Sequence, residues 1–140
     1  MIKTLKFDEA MELLGRGHVA RIGCVAEGEA YVVPVHYYLD GGCAYFHSLP
    51  GRKIDALRAH PRACLQVDEI DDIVSWRSVL AYGNYEEMSD PDERTGIVNK
   101  FMHRFPLLTP VESAVVHDAA PPRIITFRLR IDTVNGVKEG

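Results

Sequence analysis

The chain is poor in cysteine. It has three in 140 residues, Cys24, Cys43 and Cys64. The count is odd and no two have CxxC spacing, which argues against a disulfide framework and against a zinc site. All three fall in strand-like stretches, where a free thiol behaves as a small hydrophobe. A basic excess is missing as well. Sixteen Lys and Arg stand against 20 Asp and Glu, a net charge of −4, so the electrostatic footprint of a nucleic-acid or anionic-membrane binder is absent. No run approaches the ~20 apolar residues of a membrane helix. Met1 to Leu14 carries Asp8, Glu9 and Glu12 where a secretory signal would be apolar, so the expectation is a cytoplasmic protein. The six histidines, His18, His36, His47, His60, His103 and His117, form no HExxH or other ligand pair at metal spacing. GxSxG and a Cys/His pairing for covalent catalysis are also lacking.

What remains is ordinary for a globular protein: 46% apolar and 26% charged residues, in a length that suits one domain over residues 1–140 with a sizeable core. A short helix is predicted from Asp8 as N-cap, ended by Gly15 and Gly17. His18–Ala26, Ala30–Leu39 and Cys43–Ser48 follow as strands. They are separated by Glu27-Gly28-Glu29 and Asp40-Gly41-Gly42, both turn signals, and so predict an antiparallel meander. Pro34 inside the second strand marks an edge, a bulge or a break, because proline cannot donate to a ladder. Gly51–His60 reads as a helix stopped by Pro61. A fourth strand alternates through Ala63, Leu65 and Val67, and Glu69–Ile73 reads as an acidic connection. Ser75–Met88 is a long fifth strand. Ser89-Asp90-Pro91 opens a helix that packs by Ile97, Val98, Phe101, Met102 and Phe105. Leu107–Pro122 reads as a loop with a turn of helix near Val111–Val116. Arg123–Ile131 is the last strand, and Asp132–Gly140 is predicted to leave the core. Strands dominate, so the fold class is mainly β: six or seven antiparallel strands with short flanking helices, closed to hide their edges.

The segment Tyr45-Phe46-His47-Ser48-Leu49-Pro50-Gly51-Arg52-Lys53 runs from a strand end into a helix start. A helix start presents unpaired N–H groups and the positive end of the dipole, which favours anions. Arg52 and Lys53 in that first turn are therefore misplaced by ~0.3–1 kcal/mol each, unless a bound phosphate offsets the cost. Arg52 would clasp phosphate oxygens with its planar fork, Lys53 would supply a point charge, Ser48 a hydroxyl, and Gly51 close backbone approach. The plain alternative is a solvated helix whose basic residues fall early. Val32-Val33-Pro34-Val35 and Trp76-Arg77-Ser78 add apolar and aromatic surface with a few polar groups, the makings of a pocket for a flat ligand. For Trp76 the alternative is core packing.

In order and spacing, "GHVARIGCVAEGEAYVVPVHYYLDGGCAYFHSLPGRKIDALRAHPRACLQVDE", "SWRSVLAYGNYEEM" and "RIITFRLRIDTVNG" resemble the pyridoxamine 5′-phosphate oxidase-like split barrels, in particular the small branch that includes the nitroimidazole-resistance proteins. The resemblance implies FMN at the interface of a homodimer. It places Val33, Pro34 and Val35 along the isoalloxazine ring and Phe46, His47 and Ser48 along the ring edge and ribityl chain. Arg52 and Lys53 would hold the phosphate, with Ser78 and Trp76 beside them. The oxidase's own substrate residues and Arg-rich C-terminal segment have no match here. The reading is thus an FMN-dependent oxidoreductase acting on a small electron-poor molecule. The alternatives are a flavin or haem binder for storage or sensing, and a barrel that takes a deazaflavin. His47 is the residue that could face a flavin or substrate, or ligate haem iron.

Overall fold

The computed structural model describes residues 1–105 and 124–140. The predicted loop at 107–122 therefore lies outside the described residues. The described residues form three helices and eight strands, one or two strands more than expected: β1 (Ile2–Thr4), α1 (Phe7–Arg16), β2 (Val19–Ala26), β3 (Glu29–His36), β4 (Tyr38–Asp40), β5 (Cys43–Ser48), α2 (Arg52–Ala59), β6 (Arg62–Asp72), β7 (Ser75–Glu87), α3 (Pro91–Arg104) and β8 (Ile125–Glu139). All pairings are antiparallel, in the order β3-β2-β6-β7-β8-β5-β4, with β1 on β8.

The fold is a mainly antiparallel split barrel, and the strand order explains the split. β3 and β4 stand at opposite ends of the hydrogen-bonded path, yet a single residue, Tyr37, joins them. Only a sheet rolled on itself brings its two ends together in this way. The expected three-strand meander is corrected accordingly. The stretch Ala30–Leu39 divides at Tyr37: β3 pairs with β2 and β4 with β5. Pro34 then lies on an edge strand, where its missing N–H costs nothing. At the division Tyr37 is fully buried, its amide donates to the His18 carbonyl at 3.1 Å, and its hydroxyl donates to the Leu14 carbonyl.

Three further boundaries move. Lys6 rather than Asp8 caps α1, with the Glu9 carboxylate accepting from the Lys6 amide. β6 runs on through the acidic stretch to Asp72, because cross-strand partners on β7 carry it that far. β8 continues through Asp132 to Glu139 in place of leaving the core. A register shift between Tyr82 and Gly83 lets it stay on β7 past Asp132. Gly83 is required at that shift: a Cβ there would sit 2.6 Å from the Arg130 carbonyl oxygen.

Inward residues fill the barrel: Leu13 and Leu14 of α1, Ile22, Phe46, Leu65, Val79, Phe127 and Leu129 of the strands, and Ile54 and Leu57 of α2, which plugs one end. α3 docks outside by Ile97 and Phe101 against Tyr38, while Met102, counted on the packing face from sequence, is 58% exposed. Asp90 caps α3, accepting from the Glu93 amide at 3.0 Å.

Candidate functional site

The β4–β5 ladder sets Tyr38 opposite Tyr45. Extended by the same register, it would set His36 opposite His47 and Val35 opposite Ser48. β3 instead turns to β2, where His36 meets Val19 and Val35 meets Ala20. Phe46–Ser48 keep β8 on their other side. A seam therefore opens between Val33–His36 and Phe46–Ser48, across which β3 and β5 form no ladder with each other. Unpaired edge N–H and C=O groups are an available hydrogen-bonding surface. The Tyr37 and Phe46 rings, 6.4 Å apart, mark the closed end.

The chain leaves β5 at Ser48 and enters α2 at the open end. Gly51 precedes the helix and offers no side-chain cap, so the first-turn N–H groups are left for another partner. Arg52 is exposed, its guanidinium 5.0 Å over the Tyr31 ring. Lys53 is half-buried, and burial holds its ammonium pKa below the ordinary value. Both cations lie close enough to Cys24 to draw its thiol pKa down, against the larger upward push of burial. Arg16, Arg21, Arg58, Arg62, Arg77, Arg128 and Arg130 all meet carboxylates. Arg52 and Lys53 meet none among the described residues. Two positive charges without a carboxylate partner among the described residues thus stand on an uncapped helix start, where the helix dipole favours an anion.

The other predicted residues divide. Val33 and Val35 face the interior and Pro34 faces out. Phe46 stacks on Phe127 in the core, centroids 4.7 Å apart. His47, on the opposite face of β5, lies flat on Phe101 of α3 at 4.1 Å and 15°, a packing arrangement. The Ser48 hydroxyl donates to the Leu49 carbonyl at 2.9 Å. Ser78 shares an outer-face network in which the Gln66 amide donates to both Ser78 Oγ and the Asp68 carboxylate, at 3.1 and 2.9 Å. Trp76 is half-buried and donates its indole N–H to Glu139 at 3.1 Å. Tyr82 of β7 faces Cys64, itself opposite Gly23 on β2. From Tyr82, Ser78 and Trp76 lie about 13 and 20 Å further along the strand, at ~3.3 Å per residue. One chain thus joins Val33–Val35, Phe46–Ser48, Arg52 and Lys53 around the seam and leaves Ser78 and Trp76 apart. Two contributors escaped the sequence reading: Tyr31, which carries Arg52, and the Phe101–Phe105 pair of α3. Phe105 packs edge-on to His18 and His36, at 5.4 and 5.3 Å. The alternation that turns Val33 and Val35 inward turns Tyr31 inward as well.

Residues 7–137 match the family described as pyridoxamine 5′-phosphate oxidase. The chain belongs to that family. An uncharacterised protein of Rhizobium meliloti (strain 1021) is 32% identical over 87 residues, 62% of this chain. The chain spans 58% of the length of that curated relative. Among solved structures, an FAD-binding protein from Mesorhizobium loti is 28% identical with a TM-score of 0.77, over 100% of this chain and 99% of that one. A putative 5-nitroimidazole antibiotic resistance protein from Bacteroides thetaiotaomicron shares 19% identity with a TM-score of 0.74, over 99% and 89%. At that identity the second likeness speaks for the fold alone.

Proposed function

We propose that this family member binds a flavin by its 5′-phosphate and uses it to reduce a small electron-poor molecule. The observation that carries the reading is the Arg52–Lys53 couple, which meets no carboxylate among the described residues, on an uncapped helix start at the end of the seam between β3 and β5. FMN supplies both parts, a dianionic tail and a flat ring with hydrogen-bonding edges. The flavin bound by the Mesorhizobium loti relative, FAD, carries the same ring and 5′-phosphate. When bound, a flavin supplies hydride and single-electron transfer. The chain's part is to hold the phosphate with Arg52, Lys53 and the α2 amides, to orient the ring against the edges of β3 and β5, and to exclude water with Tyr37 and Phe46.

A homodimer is part of the proposal. The outer face of the sheet exposes Val19, Val25, Val32 and Val137 at 54, 42, 63 and 38%, and an open apolar groove of about 350 Å³ there is floored by Gly23, Val32, Cys64 and Tyr82. Apolar surface gathered on one face marks an interaction site. A second copy would also bring its own Ser78 and Trp76 to a ligand that these residues cannot reach within one chain.

Reconstitution with flavin followed by gel filtration tests the reading. The protein peak should keep the two-band flavin spectrum, and anaerobic addition of a reduced nicotinamide should bleach it. A protein that elutes colourless is not a flavoprotein. Retained colour without bleaching identifies a flavin binder that takes no electrons from nicotinamide. Light scattering should give twice the chain mass, and Val32→Arg should halve it.

A further inference from the structure

Among the described residues, Arg52 differs from the other arginines in what holds it. The others meet carboxylates or, in Arg94 and Arg104, backbone carbonyls. Arg52 meets neither. Its guanidinium lies over the ring of Tyr31, 5.0 Å from the centroid. Arg62 offers the comparison. It too lies over a ring, that of Tyr82 at 5.9 Å, but its Nη2 donates to Asp132 at 2.9 Å. The charge of Arg62 is already matched, and that of Arg52 is not.

The difference decides what a ligand meets. A carboxylate partner neutralises a guanidinium and occupies its donors, so an incoming anion must displace it. An aromatic face attracts the charge through the ring quadrupole but offers no acceptor oxygen. The charge and the planar fork of N–H donors then stay available. Tyr31 therefore restrains Arg52 without neutralising it. A restraint is needed at this position. Arg52 is exposed in the first turn of α2, where the helix dipole opposes its charge. A long side chain left free there would have to give up its rotamer freedom on binding. Lys53, half-buried beside it, is already confined by packing.

Tyr31 is itself fixed from the strand side. It stands on β3 opposite Cys24 of β2 and packs with Val33 against the barrel core. β3 is also one wall of the seam. The contact thus ties that wall to the helix start that faces the phosphate. The Tyr31 hydroxyl makes no hydrogen bond among the described residues, so the ring is the part in use.

We infer that Tyr31 is a positioning residue. Its ring aims the Arg52 guanidinium at the ligand's phosphate and so makes the site select a phosphorylated flavin over riboflavin. The inference rests on the flavin reading above and names the residue that sets its phosphate selectivity.

The test is a double-mutant cycle on the flavin-free protein, titrated with FMN and with riboflavin and followed by flavin fluorescence. Tyr31→Leu keeps an apolar inward side chain and removes the ring. It should weaken FMN at least about fivefold and leave riboflavin within about twofold of the parent. Tyr31→Phe, which keeps the ring, should bind FMN within about twofold of the parent. In the Arg52→Ala background, adding Tyr31→Leu should weaken FMN by no more than about twofold further, because the group that the ring positions is gone. Urea midpoints of the flavin-free variants should stay close to the parent's. FMN affinity unmoved by Tyr31→Leu would overturn the inference. So would the same loss with and without Arg52, or a loss in Tyr31→Phe equal to that in Tyr31→Leu. A Tyr31→Leu chain that does not fold would assign the ring to the barrel core and overturn it too. In each of these cases the phosphate reading stands as long as Arg52→Ala alone weakens FMN. A parent that binds no flavin, or an Arg52→Ala variant that binds FMN as the parent does, would remove that reading and this inference with it.

Discussion

Replacing Arg52 and Lys53 together by alanine should separate ligand binding from folding. In the folded protein Arg52 makes a cation–π contact with Tyr31 at 5.0 Å, which at an exposed site contributes about 0.5–1 kcal/mol. Lys53 contributes little or less than nothing, since burial disfavours its charge and no carboxylate among the described residues offsets that cost. Both charges also oppose the α2 dipole, by ~0.3–1 kcal/mol each. These contributions nearly cancel, so the flavin-free double variant should unfold within about 1 kcal/mol of the parent. Ligand binding is affected far more. Each charge-assisted hydrogen bond to phosphate is worth about 1.5–3 kcal/mol, so losing two costs about 3–6 kcal/mol, or two to four powers of ten in Kd. Urea denaturation of the flavin-free proteins gives the first quantity and fluorescence titration the second. Flavin affinity within threefold of the parent would refute the phosphate assignment. A double variant that cannot fold would refute the claim that these cations belong to the ligand and not to the fold.

Three further outcomes follow from particular contacts. Lys53 has a folded-state pKa below its ordinary 10.5, so between those two values the unfolded chain holds the extra proton and the stability of the flavin-free protein rises with pH. A phosphate needs the ammonium charged, so flavin affinity should fall over the same alkaline window. Both slopes should flatten in Lys53→Met, by thermal melts and titrations across pH. Tyr37→Phe deletes the buried hydroxyl that donates to the Leu14 carbonyl and should cost about 1–3 kcal/mol in urea, with m unchanged. Gly83→Ala places a methyl 2.6 Å from the Arg130 carbonyl oxygen. Backbone on both sides must shift, so a loss of about 1–3 kcal/mol is expected, and a wild-type urea midpoint would show that the β7–β8 shift is softer than described.

What the sequence made legible was local. β5 was readable to its last residue because Gly41-Gly42 and Pro50 bracket it. The α3 start was readable from Asp90-Pro91. Arg52 and Lys53 stood out because they occupy the wrong end of a helix dipole, which needs only a helix boundary to notice. What escaped was set by partners far along the chain. The acidic end of β6 stays extended because Asp68, Glu69 and Ile70 meet Ser78, Arg77 and Trp76. β8 passes Asp132 because the ladder shifts at Gly83. Nothing near Tyr37 announces that the strand changes partners there, since β2 and β5 lie on different sides of it in sequence. Trp76 and Ser78 joined the predicted site on residue type and on the resemblance, neither of which fixes distance, and the strand rise along β7 carries them away from Arg52 in the same chain.

The one-residue joint at Tyr37 gives the seam a direction. Two strands hinged at a common point diverge with distance from it, so the opening is a wedge, sealed by aromatic rings at its apex and widest where α2 begins. The apex is apolar and the mouth is positive. A flat molecule with a charged tail can enter such a wedge in only one sense, ring leading and tail trailing, and the same polarity dictates that its anionic end is the first part released.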